Sequence, residues 1–233
     1  MSDMSDDGRV LNNGKPNTGT FNSQKNHWQK MYARDAAMFG KEPSYSAVKT
    51  AGILKAQGAR KILELGSGQG RDTLFFALQG FEVYALDYSE EGLNAIRADV
   101  EANGVSSSVK TVYHDVGQPL PFDNNFFDCC YSHMLYCMAL TTPLLKDLSR
   151  EILRILRPGG LNIYTVRNTQ DPNYRTGIDH GDDMWKIAGG FIVHFFSREK
   201  IESLAEGYQI IDIEKFDEGR LPKKLFLVTT RKI

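Results

Sequence analysis

Apolar side chains along this chain change their spacing several times, and each change marks a structural element. Between Asn26 and Phe39 they fall at Trp28, Met31, Tyr32, Ala36 and Phe39. The spacings of three and four predict an amphipathic helix. Gly40 suits its C-terminal cap, and Pro43 bars continuation. A second helix is predicted from about Tyr45 to Gln57, closed by Gly58.

The rhythm then shortens. Lys61–Leu65, Glu82–Leu86, Val109–His114, Phe127–Ser132 and Leu161–Val166 are short runs, apolar on both alternating positions, as in strands buried on both faces. Helical stretches are predicted between them: Arg71–Leu78, Glu90–Ala102 behind the N-cap Ser89, and Pro143–Leu156. Arg157-Pro158-Gly159-Gly160 is expected to break the last helix before the fifth strand. Strand–helix alternation of this kind implies parallel strands with helices on both faces.

The C-terminal part differs. Residues 168–190 are rich in Asn, Asp, Pro and Gly and read as a long connection. Ser197 caps a short helix to about Ala205. Tyr208–Phe216 and Lys224–Arg231 are predicted strands, and the short link between them favours an antiparallel hairpin. The expected fold is therefore α/β: a seven-stranded, mostly parallel sheet with helices on both faces and a C-terminal antiparallel hairpin. Residues 1–22 read as a disordered leader, too poor in apolar side chains to offset the cost of ordering. Residues 23–233 then form one domain with an insertion at 168–196.

Composition narrows the class. The 233 residues carry 28 basic and 29 acidic side chains, a formal net charge of −1. That balance argues against a general nucleic-acid binder. No apolar run is long enough to span a membrane, and the acidic N-terminus does not read as a signal peptide. Three cysteines, two of them adjacent at Cys129 and Cys130, form neither a disulfide framework nor a metal motif. A cytoplasmic protein, monomeric or dimeric, without metal, membrane or nucleic-acid partner, is the expectation.

The candidate chemistry lies in Glu64-Leu-Gly66-Ser67-Gly68-Gln-Gly70-Arg71-Asp72, between the first strand and the next helix. Glycines there let the chain turn sharply and let a ligand approach the backbone. The spacing is not the dinucleotide fingerprint, because Arg71 stands where its third glycine would be. Nor is it a phosphate loop, since no Lys-Ser or Lys-Thr follows. Asp87, ending the second strand, can accept hydrogen bonds from both hydroxyls of a ribose. Glu64 would repel a pyrophosphate but suits an ammonium or sulfonium. The loop reads as built for a cationic nucleoside.

Together with Tyr84-Ala-Leu-Asp87-Tyr88-Ser89, His114-Asp115-Val116, Leu120-Pro-Phe-Asp123, Phe127-Asp128 and Leu156-Arg-Pro-Gly-Gly160, this loop resembles the class I S-adenosylmethionine-dependent methyltransferases, whose fold is Rossmann-like. The resemblance covers about residues 45 to 167. Within that class, the Gly-Arg-Asp-Thr-Leu-Phe-Phe stretch is similar to the tellurite-resistance and thiopurine methyltransferase branch. The resemblance implies that Gly66, Gly68 and Gly70 pack under the cofactor, with Ser67 in the same loop. Glu64 would face the methionine amino group. Asp87 would hold the ribose hydroxyls, with Tyr88 against the adenine face and Ser89 next to it. Asp115 and Val116 would bind adenine, and Ser132 and His133 would sit beside the methyl group. Trp28 and Tyr32 would belong to a lid, although core packing of that helix explains the same spacing. Arg71 departs from the small residues common at its position, and could reach the methionine carboxylate or an acidic substrate.

The acceptor is expected to be a small molecule; a protein side chain, or binding without catalysis, are the alternatives. Candidate acceptor contacts are His133, Tyr136, Arg167, His180 and His194, with His133 and Arg167 the candidate catalytic residues. Arg167 enters because strand C-termini face the ligand crevice in open α/β sheets. A structural role is the alternative for each histidine. No general base is strictly required when the nucleophile is a thiolate, a chalcogen oxyanion or a neutral amine. Tyr131-Ser-His-Met-Leu135 lacks the Asn-Pro-Pro-Tyr pattern associated with adenine or glutamine N-methylation.

Overall fold

The computed structural model describes residues 18–34, 38, 40–219 and 223–233. Its centre is a seven-stranded sheet in the order β3-β2-β1-β4-β5-β10-β9. The strands are β1 (Lys61–Leu65), β2 (Glu82–Asp87), β3 (Val109–Tyr113), β4 (Phe127–His133), β5 (Leu156–Arg167), β9 (Tyr208–Glu218) and β10 (Lys223–Lys232). β1 to β5 pair in parallel, while β10 runs antiparallel to both β5 and β9. The strand pattern and the terminal hairpin are those read from the sequence.

Alternation along the strands divides two apolar layers. Ile62, Val83, Cys129, Tyr131 and Ile163 face α2 (Tyr45–Ala56) and α3 (Arg71–Leu78). Ala85, on the same face, meets α4 (Glu90–Ala102) through Leu93 and Ile96. Leu63, Leu65, Cys130, Tyr164 and Val166 point the other way, into a core closed by α5 (Thr142–Ile155) and α6 (Arg198–Ser203). All three cysteines are buried and free, packing as small hydrophobes.

Three elements depart from expectation. Helix α1 runs from Thr18 to Arg34, so it starts well ahead of Asn26 and takes in the end of the supposed leader. The remaining leader, and Ala36 and Phe39 of the predicted helix, lie outside the described residues. Arg157–Gly160 does not separate helix from strand: β5 begins at Leu156, directly after α5, and runs through these residues. The pairing of β4 with β5 shifts register there, between Phe127 and Cys129. Finally, the 168–190 connection is not structureless. With the buried run that follows it, it folds as a small antiparallel sheet of β6 (Ile178–Asp179), β7 (Met184–Lys186) and β8 (Ile192–His194). Hydrophobic anchoring explains it, since Val193, Phe195 and Phe196 are buried in the α5 core.

Candidate functional site

A cavity of about 780 Å³ opens above the C-terminal ends of β1, β2 and β4. Its size is that of a small-molecule site, roughly 300–1,000 Å³. The parallel order places it there: strand order reverses between β1 and β4, and crevices form at such reversals.

The glycine loop forms its floor. Gly66, Gly68 and Gly70 have φ of 69°, 55° and 84°. At Gly70, the residue before α3, a side chain would be strained and would strike buried Ile96, whose Cγ1 lies 2.4 Å from the position of a Cβ. Gly92, in the first turn of α4, had no role in the sequence reading. A Cβ there would lie 2.3 Å from the carbonyl oxygen of Gly68. α4 can therefore press against the loop only because residue 92 lacks a side chain, and a glycine among helix formers was the available signal.

Asp87 ends β2 with only 6% of its surface exposed, on the cavity wall. Its carboxylate accepts the N–H of Gly68 at 2.8 Å and of Ser89 at 2.8 Å. Burial raises its pKa, and those backbone donors oppose the rise. Ser89 itself faces inward: its hydroxyl accepts the Gly92 N–H and caps α4. It holds Asp87 rather than lining the cavity.

Glu64 also reaches the cavity, although it is nearly inaccessible to solvent. The Thr73 hydroxyl donates to it. Burial, with the charge of Asp72 second, pushes its pKa up to about 8. Asp72 accepts from the Ser44 N–H at 2.8 Å, the Ser44 hydroxyl at 2.7 Å and the Tyr131 hydroxyl at 2.9 Å. The Arg71 guanidinium, with Nε 3.3 Å from Asp72, offsets this crowding of buried carboxyl groups in part.

Several expected residues meet at this cavity: Trp28, Tyr32, Ser67, Arg71, Tyr88 and Val116 all line it. Trp28 and Tyr32 lie side by side, with ring centroids 5.7 Å apart, and Trp28 packs on Phe191 at 4.9 Å. Helix α1 thus bridges the cavity and the small sheet. The Gln24 side chain fixes that bridge, donating to the Gly190 carbonyl and accepting from the Ile192 N–H. Asp115 does not line the cavity. It is ion-paired with Lys25 of α1, and that lysine also lies over the Tyr88 ring.

Five further expectations are corrected by position. Ser132 is buried inside β4 and away from the cavity wall. Tyr136 is core, stacked on Tyr164 with centroids 4.2 Å apart and bonded to Asn162. Arg167 does not reach the crevice, because its guanidinium forks onto Asp171 at 2.9 and 2.5 Å in a fully buried pair. His180 is exposed on the turn between β6 and β7. His194 is fully buried: Nδ1 meets the Leu140 carbonyl at 2.7 Å and Nε2 meets the Lys200 ammonium at 2.6 Å. An ammonium can only donate, so Nε2 accepts and Nδ1–H donates. Tyr136, Arg167 and His194 are thus spent on holding the fold, whereas Ser132 and His180 are simply not on the cavity wall.

His133 does reach the cavity. β4 ends beside it with Met134 at a φ of 62°, a left-handed turn whose N–H the Thr165 hydroxyl accepts at 2.9 Å. That turn swings Met134 and Leu135 into the cavity wall. Glu218 and Lys223, from the β9–β10 hairpin, complete this end, and sequence reading missed both. They lie far from the glycine loop in the chain, and only strand pairing brings them near.

Sheet order, glycine loop and acidic strand end are together similar to those of the class I S-adenosylmethionine-dependent methyltransferases. Residues 62–160 match the family model described as Methyltransferase domain. In sequence, the chain is 28% identical over 144 residues to a 24-methylenesterol C-methyltransferase 2 of Oryza sativa subsp. japonica, covering 58% of this chain and 39% of that protein. The chain spans about two fifths of the length of the curated relatives it matches first. In structure, it is similar to an S-adenosylmethionine-dependent methyltransferase of Methanosarcina mazei, with a TM-score of 0.68 and 17% identity over 82% of this chain and 99% of that one. It is also similar to the 1,6-didemethyltoxoflavin-N1-methyltransferase of Burkholderia thailandensis with bound S-adenosylhomocysteine, with a TM-score of 0.66 and 18% identity over 97% and 92%. At these identities the structural likeness is one of fold.

Proposed function

We propose that the protein transfers a methyl group from S-adenosylmethionine to a small-molecule acceptor. One observation carries the reading: a nearly buried Asp87 carboxylate borders a glycine loop that leaves no room for side chains, over buried Glu64 and Asp72. These residues fit a cationic nucleoside. Asp87 would hold the ribose, Tyr88 and Val116 would flank the base, and the loop backbone would pack beneath. Glu64 would face the positively charged amino-acid part. The bound cofactor would supply an activated methyl group, and the chain would supply orientation and a site shielded from water. Trp28 and Tyr32 of α1 do the shielding.

A small acceptor is supported by the cavity itself, which is of small-molecule size and partly covered by Trp28 and Tyr32 of α1. The names of the rice and Burkholderia proteins also denote small-molecule acceptors. The test is incubation with S-adenosylmethionine carrying a labelled methyl group and a cell extract. Label is expected in the small-molecule fraction, and label confined to the protein fraction would contradict the reading.

A further inference from the structure

Opposite the glycine loop, the cavity ends at two side chains the proposed cofactor contacts do not use. His133 Nε2 lies 3.2 Å from the Glu218 carboxylate. Nδ1 lies 3.0 Å from the Ser46 hydroxyl and 3.1 Å from that of Thr165. A carboxylate only accepts, so Nε2–H donates to Glu218 and the neutral ring's Nδ1 accepts from the hydroxyls. Behind His133 the chain of hydroxyls continues without a gap. Ser46 meets the Tyr131 hydroxyl at 2.8 Å, and Tyr131 donates to Asp72.

We infer that Glu218, held by His133, is the acceptor-side anchor of the cavity and takes an acceptor whose nucleophile is a proton-bearing nitrogen, an amine or N–H heterocycle. The inference rests on the proposed methyl transfer. Both ring nitrogens of His133 are engaged inside the protein, so the acceptor group this end offers is the Glu218 carboxylate, with Lys223 of the same hairpin also on the wall. Its proton affinity is lowered: burial opposes the charge, but His133, Arg71 and Lys223 outweigh it, so Glu218 presents an anion. Five carboxylates and three lysine or arginine side chains line the cavity among the described residues, which disfavours an anionic acceptor. Methylating a neutral nitrogen moves positive charge from sulfur onto that nitrogen, and a fixed carboxylate stabilises the charge where it develops. The nitrogen lone pair closes the new C–N bond as the C–S pair returns to sulfur, the product forms as a cation paired with the Glu218 carboxylate, and it sheds its proton to water on release. His133 is a positioning residue in this scheme.

Two nucleosides test this without a known acceptor. S-adenosylhomocysteine lacks the methyl group, and sinefungin carries an ammonium in its place. Calorimetry should show wild type preferring sinefungin, and Glu218→Gln should lower that preference roughly tenfold or more while leaving S-adenosylhomocysteine affinity unchanged. Nitrogen chemical shifts of His133 should report the Nε2–H tautomer in wild type and move in Glu218→Gln. An unchanged preference in the variant overturns the inference. So does an equal loss for both ligands, which would put Glu218 on the amino-acid part. If neither ligand binds wild type, the failure lies instead with the proposed cofactor.

Discussion

The two ends of the cavity are built in different ways. Around the glycine loop the working parts are mostly backbone: positive-φ glycines, N–H groups aimed at Asp87, and a helix made to fit by Gly92. Around His133 they are side chains, drawn from α2, β4, β5 and the terminal hairpin. The first end tolerates almost no change in shape. The second can exchange side chains without disturbing the loop, which suits a surface that has to match one particular acceptor.

Gly92→Ala should sharpen this contrast most. The added methyl meets the Gly68 carbonyl, which belongs to the backbone and cannot turn aside. Affinity for S-adenosylhomocysteine should fall about a hundredfold. A calorimetric affinity equal to wild type would break the backbone account.

Arg167→Met tests the opposite case, a polar side chain assigned to stability alone. Leaving Asp171 buried without its partner should cost about 3–5 kcal/mol in urea unfolding. The folded protein should bind the nucleoside as before, and lost binding would return Arg167 to the site.

His194 gives a pH window. Burial, then the charge of Lys200, lowers its pKa to about 4, so the unfolded chain takes up a proton that the native chain refuses. Its contribution to stability is intact above about pH 6.5 and is lost as pH falls toward 4, amounting to roughly 3 kcal/mol. Urea midpoints at both ends of the window should converge for wild type and His194→Gln on acidification. A constant gap between them would contradict the assignment.

The smallest effect belongs to Lys25→Ala. Its pair with Asp115 is partly solvated, so S-adenosylhomocysteine affinity should weaken by less than about fivefold. A gain in affinity would mean that Lys25 competes with the ligand for Asp115.

The same contrast governs what could be read from the chain. Strand–helix alternation and capping residues are local, and β1, α3 and α4 fall at their expected limits. Glu64, the glycines and Asp87 are likewise short-range signals at fixed places in that alternation. The far end of the cavity is a product of register. β4 pairs with β5, β5 with β10 and β10 with β9, and this carries Glu218 to His133 across 85 positions of sequence. Arg167, His194 and Tyr136 sit at strand ends or among aromatics, where their residue types suit a site equally well. Only the partners Asp171, Lys200 and Tyr164 reveal that their chemistry is spent internally. The fold of 168–196 was hidden similarly, since its strands of two or three residues are too short to show a period.

The central claim is that Asp87 and the glycine loop form a nucleoside site, and calorimetric titration of S-adenosylhomocysteine into the full chain tests it most directly. Wild type should bind one ligand per chain, and Asp87→Ala should lose a hundredfold or more in affinity, with Asp87→Asn between them as a variant of preserved shape. No binding by folded wild type, or equal binding by all three proteins, would contradict it.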